Sequence, residues 1–145
     1  MPVVRVEPDV FCVRMPIPFP LGSVNAYLVR TDHGAVLVDA GLRTPDCFAA
    51  LQEALGAAGV SLSGLRAVVL THAHPDHIGL AGVLQGLTGV PLYLLDVEEP
   101  VARRVWVNDP TARVRAITQM LQTHGVPEKW VEEAGPVSYT HLTLP

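Results

Sequence analysis

Between Thr71 and Gly79 the chain reads THAHPDHIG, which places three histidines and one aspartate within the span His72–His77. Imidazole and carboxylate together form the donor set of zinc and other first-row divalent metals. Residues two apart on an extended segment point to the same side, so His72 and His74 can grip one metal from the end of a strand. Pro75 then turns the chain, and Asp76 and His77 can project towards a neighbouring position. The spacing supplies donors for two metals close together, a pair able to polarise a carbonyl or phosphoryl oxygen and to hold hydroxide at neutral pH. A lone histidine is usually a cap or a solvated surface residue. Four ligand-type residues converging directly after an apolar strand are poorly explained that way.

The elements that must position this cluster follow from periodicity and turn chemistry. Residues 2–6 and 10–14 are Val-rich and bounded by prolines, which predicts two short strands. Pro16, Pro18 and Pro20 interrupt the pattern and predict a loop or sheet edge. VNAYLVR (Val24–Arg30) predicts a strand, TDHG (Thr31–Gly34) a hairpin turn, and AVLVDAG (Ala35–Gly41) a returning strand apolar enough for burial on both faces. Thr44-Pro45 is a helix start, with a capping hydroxyl before a proline at the first helical position. Phe48, Leu51, Leu55 and Ala58 then form one apolar stripe, which Gly59 ends. LRAVVL (Leu65–Leu70) predicts a buried strand running straight into the histidines. Ile78 to Leu87 predicts a helix, and PLYLLD (Pro91–Asp96) the next strand. From Pro110 onward a stripe of Val114, Ile117, Met120 and Leu121 predicts a helix stopped by Gly125, and Pro127 opens a shorter one ending near Gly135. Strands alternating with helices define an α/β (α+β) chain, and the cluster falls at the C-terminal end of a strand, where such folds bind ligands.

Composition narrows the function classes. A 145-residue chain with 49% apolar and 17% charged residues reads as one globular domain. Its net charge of −4 offers no basic stripe for nucleic acid. No apolar run reaches the length of a membrane span or a signal peptide, and two cysteines, Cys12 and Cys47, suit a reducing compartment. The expectation is a cytoplasmic protein acting on a small molecule, without nucleic-acid or membrane partners. The last stretch, VSYTHLTLP (Val137–Pro145), resembles one frame of a transposase-type adapter used to prepare sequencing libraries. The hypothesis is that residues 1–136 are the N-terminal part of one domain and 137–145 are adapter translation. Genomic DNA encoding VSYTHLTLP at this position would refute it.

THAHPDHIG resembles the HxHxDH signature of the metallo-β-lactamase superfamily. The resemblance also takes in Asn25 of VNAYLV and Asp39 of VDAG, a DxG that supports the metal loop, and it covers residues 10–105. It implies an αββα sandwich with metals in a cleft between two sheets, of which only the N-terminal half is represented here. It further implies that His72 and His74 bind a first metal and that Asp76 and His77 bind a second. Asp76 also handles protons where one metal is present, and Asp39 stands behind the ligands and orients the loop. Two divalent metals are implied, zinc first, with iron or manganese as alternatives. Asn25 is expected to be a buried amide serving structure. Losing the second sheet would leave apolar faces uncovered.

The function implied is a metal-dependent hydrolase using a metal-bound hydroxide on an ester, thioester, lactone or related bond, with the intact parent active and this chain inactive. Thioester hydrolysis of the glyoxalase II kind and lactone hydrolysis lead, and true β-lactamase activity ranks lower. His74 stands where flavodiiron oxidoreductases carry Glu, and a nuclease of the RNase Z type would want a basic surface. The alternatives are a mono-iron persulfide dioxygenase-like enzyme and a metal-binding fragment without turnover. The later ligands of the superfamily, a further histidine, a bridging aspartate and a final histidine, are not recognisable here. His124 ends a helix, His141 lies in the adapter-like tail, and His33 sits in a hairpin turn. Asp96, with Glu98 and Glu99, enriches a helix start in acid, and Asp109 precedes a proline as a cap.

Overall fold

The computed structural model describes residues 2–18 and 22–103, together with 115, 118–119, 122–123, 125 and 127–129. The chain divides into two compact units, Met1–Leu95 and Asp96–Pro145.

In the first unit a six-stranded sheet runs in chain order: β1 (Val3–Glu7), β2 (Val10–Pro16), β3 (Ser23–Thr31), β4 (Gly34–Val38), β5 (Leu65–Leu70) and β6 (Leu92–Leu94). The first four strands pair antiparallel in chain order, and β4–β5 and β5–β6 are parallel. Parallel neighbours need crossovers. Helix α1 (Pro45–Ala58) supplies the first, and α2 (Pro75–Ile78) and α3 (Ala81–Thr88) supply the second.

Local chemistry accounts for the boundaries of α1. The Thr44 hydroxyl accepts the Cys47 N–H at 3.2 Å, Pro45 occupies the first helical position, and Gly59 closes the helix at φ 68. Cys47, Ala50, Leu51, Ala54, Leu55 and Ala58 form its buried face. That face packs against Phe11, Val13, Met15, Leu28 and Leu37 of the sheet in one core, joined by Leu80, Ala81 and Leu84. The Cys47 thiol donates to the Pro16 carbonyl at 3.2 Å, and burial pushes its pKa up.

Two expectations are corrected here. The helix expected over 78–87 is two helices. Pro75 starts α2 three residues earlier than expected, and the chain breaks at Gly79–Leu80 before α3 begins. Strand β4, expected to be buried on both faces, and β5, expected to be a buried strand, are each buried on one face only: Val36 and Val38 are half-buried, and Arg66 and Val69 are exposed. The core lies on one side of the sheet. On the other, the strand registers align Val4, Cys12, Tyr27, Val38, Val69 and Tyr93 as one apolar row across all six strands. Within this row Val4 is 42% exposed, Tyr27 39%, Val69 37% and Tyr93 56%. Exposed apolar rows of this kind favour association. The isolated chain is therefore expected to bind a hydrophobic dye such as ANS and to sediment faster than a monomer. A dye-silent, monomeric preparation would contradict this.

In the second unit α4 (Glu99–Ala102) opens on Glu98, and Arg103 donates to the Glu99 carboxylate at 2.8 Å through Nε. Thr118, Gln119, Gln122 and Thr123 are helical, and Gly125 turns at φ 74, as expected of a helix stop. The stripe residues Val114, Ile117, Met120 and Leu121, the candidates Asp109, His124 and His141, and the tail 137–145 lie outside the described residues. Among the described residues no helix is long and apolar enough to cross a membrane.

Candidate metal centre

The cluster begins where β5 stops. Thr71 and His72 leave the strand, Ala73 turns inward and is buried, and His74 is exposed. His74 remains extended, with φ −74 and ψ 147, and acts as the cap residue of α2. Its carbonyl accepts the N–H groups of His77 at 3.0 Å and Ile78 at 2.9 Å, so the turn at Pro75 is a single helical turn. Asp76 and His77 occupy that turn, both half-buried.

The three imidazoles are thereby brought together. The His72 ring lies 4.6 Å from that of His74 and 4.1 Å from that of His77, centroid to centroid. His77 Nε2 is 3.7 Å from an Asp76 carboxylate oxygen. Among the described residues no three His, Cys, Asp or Glu side chains surround a common point as a finished ligand set. The donor chemistry still fits a divalent cation: three imidazole rings and a carboxylate share one sheet edge.

Asp39 organises the edge. It follows β4 in the left-handed region, at φ 60, the only described non-glycine residue with positive φ. Aspartate tolerates this conformation better than most side chains because its short carboxylate can bond locally. At 6% exposure it is also the only buried charged residue described. Its backbone N–H donates to the Val69 carbonyl at 2.9 Å, and the next residue, Ala40, donates to the His77 carbonyl at 2.7 Å. The carboxylate accepts the Thr71 N–H at 2.9 Å, the Thr71 hydroxyl at 2.9–3.0 Å and His77 Nδ1 at 2.8 Å. One side chain thus ties the end of β4 to the end of β5 and to α2.

Two residues of the same motif escaped the sequence reading. Thr71 bridges Asp39 to His72, with its hydroxyl 2.9 Å from His72 Nδ1. Gly79 lets α2 lie directly on the loop after Asp39. A Cβ there would come within 2.5 Å of the Arg43 backbone nitrogen and 2.6 Å of the Gly41 carbonyl oxygen. Both were visible as letters: a hydroxyl beside the first histidine, and a glycine closing a four-residue helix. The other candidates are scattered. His33 is exposed in the β3–β4 turn and Asp96 is exposed beyond β6. Asn25, expected to be a buried amide, is exposed on β3 opposite Arg14, because its strand position faces away from α1.

A parallel-ended sheet carrying an HxHxDH cluster at a strand terminus, held by an aspartate from the preceding strand, describes a metallo-β-lactamase fold. The chain belongs to the metallo-beta-lactamase superfamily, whose sequence profile matches residues 19–141. It is 49% identical over 75 residues to the probable metallo-hydrolase YqjP of Bacillus subtilis, covering 52% of this chain and 23% of that protein. A metallo-beta-lactamase family protein from Thermus thermophilus superposes with a TM-score of 0.74 at 33% identity, covering 91% of this chain and 43% of that one. A beta-lactamase domain protein from Burkholderia ambifaria gives 0.61 at 29% identity, covering 73% and 35%. The chain therefore spans less than half the length of these relatives.

Proposed function

We propose that the full-length protein is a metal-dependent hydrolase acting on an ester, thioester, lactone or related bond of a small molecule. The observation that carries this reading is the packing of His72, His74 and His77 at one strand end, with Asp76 beside His77. In this reading His72 and His74 hold one divalent metal, and Asp76 and His77 a second. When bound, such a pair would supply a nucleophilic hydroxide at neutral pH and polarise the carbonyl of the substrate. Zinc is the first candidate because nitrogen and oxygen donors of this kind suit it, with iron or manganese next.

The chain's own residues contribute position and proton handling. Asp39 holds His77 by Nδ1, because an ionised carboxylate can only accept, and Nε2 is the ring atom left facing Asp76. Metal-binding histidines are commonly oriented by a carboxylate in this way. Asp76 is half-buried with a carboxylate oxygen 3.7 Å from His77 Nε2, and in this reading that carboxylate binds the second cation or carries a proton.

The test uses the full-length protein, metal analysis, and a panel of esters, thioesters and lactones. Bound divalent metal and turnover of at least one panel member are expected. Asp76→Asn is expected to lower kcat by about 10²–10⁴-fold, the range of a lost acid–base group. A preparation that takes up no metal, or that hydrolyses the panel equally well with Asp76→Asn, would overturn the reading.

A further inference from the structure

We propose that Thr71 is a positioning residue that sets the tautomer of His72, so that the single carboxylate of Asp39 commits both His72 and His77 to present Nε2. This rests on the reading above that both histidines hold metal. The inference comes from counting protons. The Thr71 hydroxyl lies 3.0 Å from Asp39 Oδ1, 2.9 Å from Oδ2 and 2.9 Å from His72 Nδ1. A hydroxyl carries one proton and two acceptor sites, and an ionised carboxylate carries no proton. If the hydroxyl donated to His72, it would face the Asp39 oxygens at hydrogen-bond distance with no proton between them. It therefore donates to Asp39 and accepts from His72, so His72 Nδ1 bears the hydrogen and, in the neutral ring, Nε2 keeps its lone pair. His77 reaches the same state without a relay, through its direct bond to Asp39 Oδ2 at 2.8 Å.

The Thr71 backbone holds the relay in place. Its N–H is anchored on Asp39 Oδ1 at 2.9 Å, so the side chain has a fixed origin although the residue is exposed. His74, two residues on, caps α2 through its backbone and makes no side-chain cap bond. The relay thus distinguishes His72 from His74 within one motif, and in wild-type protein it commits His72 before any metal arrives.

The experiment uses the full-length protein, stripped of metal, labelled on its histidine nitrogens and held at alkaline pH. Two-bond proton–nitrogen correlation spectra report which ring nitrogen carries hydrogen, and zinc titration reports affinity. In wild-type protein both His72 and His77 are expected as Nδ1–H forms. Thr71→Ser should keep this pattern. Thr71→Val, which retains shape and loses the hydroxyl, should move His72 towards the Nε2–H form, leave His77 unchanged and weaken zinc binding about 10–100-fold, the usual range for a lost supporting partner. A wild-type spectrum with His72 as Nε2–H overturns the proposal, whether or not the variants fold. So does a Thr71→Val protein whose His72 tautomer is unchanged. If wild-type protein takes up no zinc while the tautomers behave as stated, the metal-hydrolase reading fails and the relay stands.

Discussion

Asp39→Ala is expected to lower the unfolding free energy of the chain by about 3 kcal/mol. Hydrogen bonds to a charged group contribute about 1.5–3 kcal/mol each, and Asp39 accepts three, from Thr71 N–H, Thr71 Oγ1 and His77 Nδ1. The sum is discounted because Thr71 is exposed and water can replace part of what it loses. Part of the total, up to about 1–2 kcal/mol, is the cost of placing alanine in the left-handed region that Asp39 occupies at φ 60.

Asp39→Asn separates stability from chemistry. Asparagine tolerates the same backbone and keeps one carbonyl oxygen for Thr71, so much of the stability should survive. Its amide, however, would donate where the carboxylate accepted, which favours the wrong tautomer of His77. Denaturant unfolding should therefore rank wild type first, then Asp39→Asn, then Asp39→Ala. Zinc affinity of the full-length protein should fall about 10–100-fold for both variants. An Asp39→Asn protein that binds zinc as tightly as wild type would remove Asp39 from the site.

Gly79→Ala is expected to cost about 1–3 kcal/mol, the range for an added methyl group in a packed region. The added carbon would meet the Arg43 nitrogen at 2.5 Å, the Gly41 oxygen at 2.6 Å and the Leu42 carbonyl carbon at 2.7 Å. These are backbone atoms and cannot swing aside. The loop itself has little freedom, because Gly41 sits at φ 67 and a Cβ there would lie 2.9 Å from Met15 Cγ. Relief must come from lifting α2, which breaks the Ala40–His77 backbone bond of 2.7 Å and moves Asp76 and His77 away from Asp39. Gly82→Ala is the control. Nothing lies within 4 Å of a Cβ at Gly82, and it sits inside α3, so alanine should stabilise the chain by about 0.5–1 kcal/mol. Thermal unfolding of the two variants should shift in opposite directions. A Gly79→Ala protein melting at or above wild type would show that the close approach of α2 to the loop does not matter.

Features governed by near neighbours were legible in the sequence. The Thr44-Pro45 start and Gly59 stop of α1 depend on atoms within one helical turn, and they stand where the spacing placed them. The β3–β4 hairpin and the passage from β5 into the histidines were legible for the same reason. Burial was harder to read. A run such as AVLVDAG looks the same whether one or both faces are covered, and only the placement of α1 and α3 on one side of the sheet shows that Val36 and Val38 remain half-buried. Asn25 was misread because its surroundings come from Arg14 on the neighbouring strand, not from its own segment. The break at Gly79 was missed because an apolar stripe continues through it, whereas the close contact at the break is with a loop more than thirty residues earlier.

By itself, then, the sequence determined the superfamily, the strand that delivers the cluster and the donor types in it, because these are properties of short spacing. Tertiary structure alone decided how the cluster is held. Asp39 and Thr71 are 32 residues apart in the chain and in hydrogen-bond contact in the fold, because β4 and β5 pair in parallel and bring their C-terminal ends side by side. Hydrogen bonds are directional over a few tenths of an ångström, so which imidazole nitrogen faces outward follows from that pairing and from no local pattern of residues.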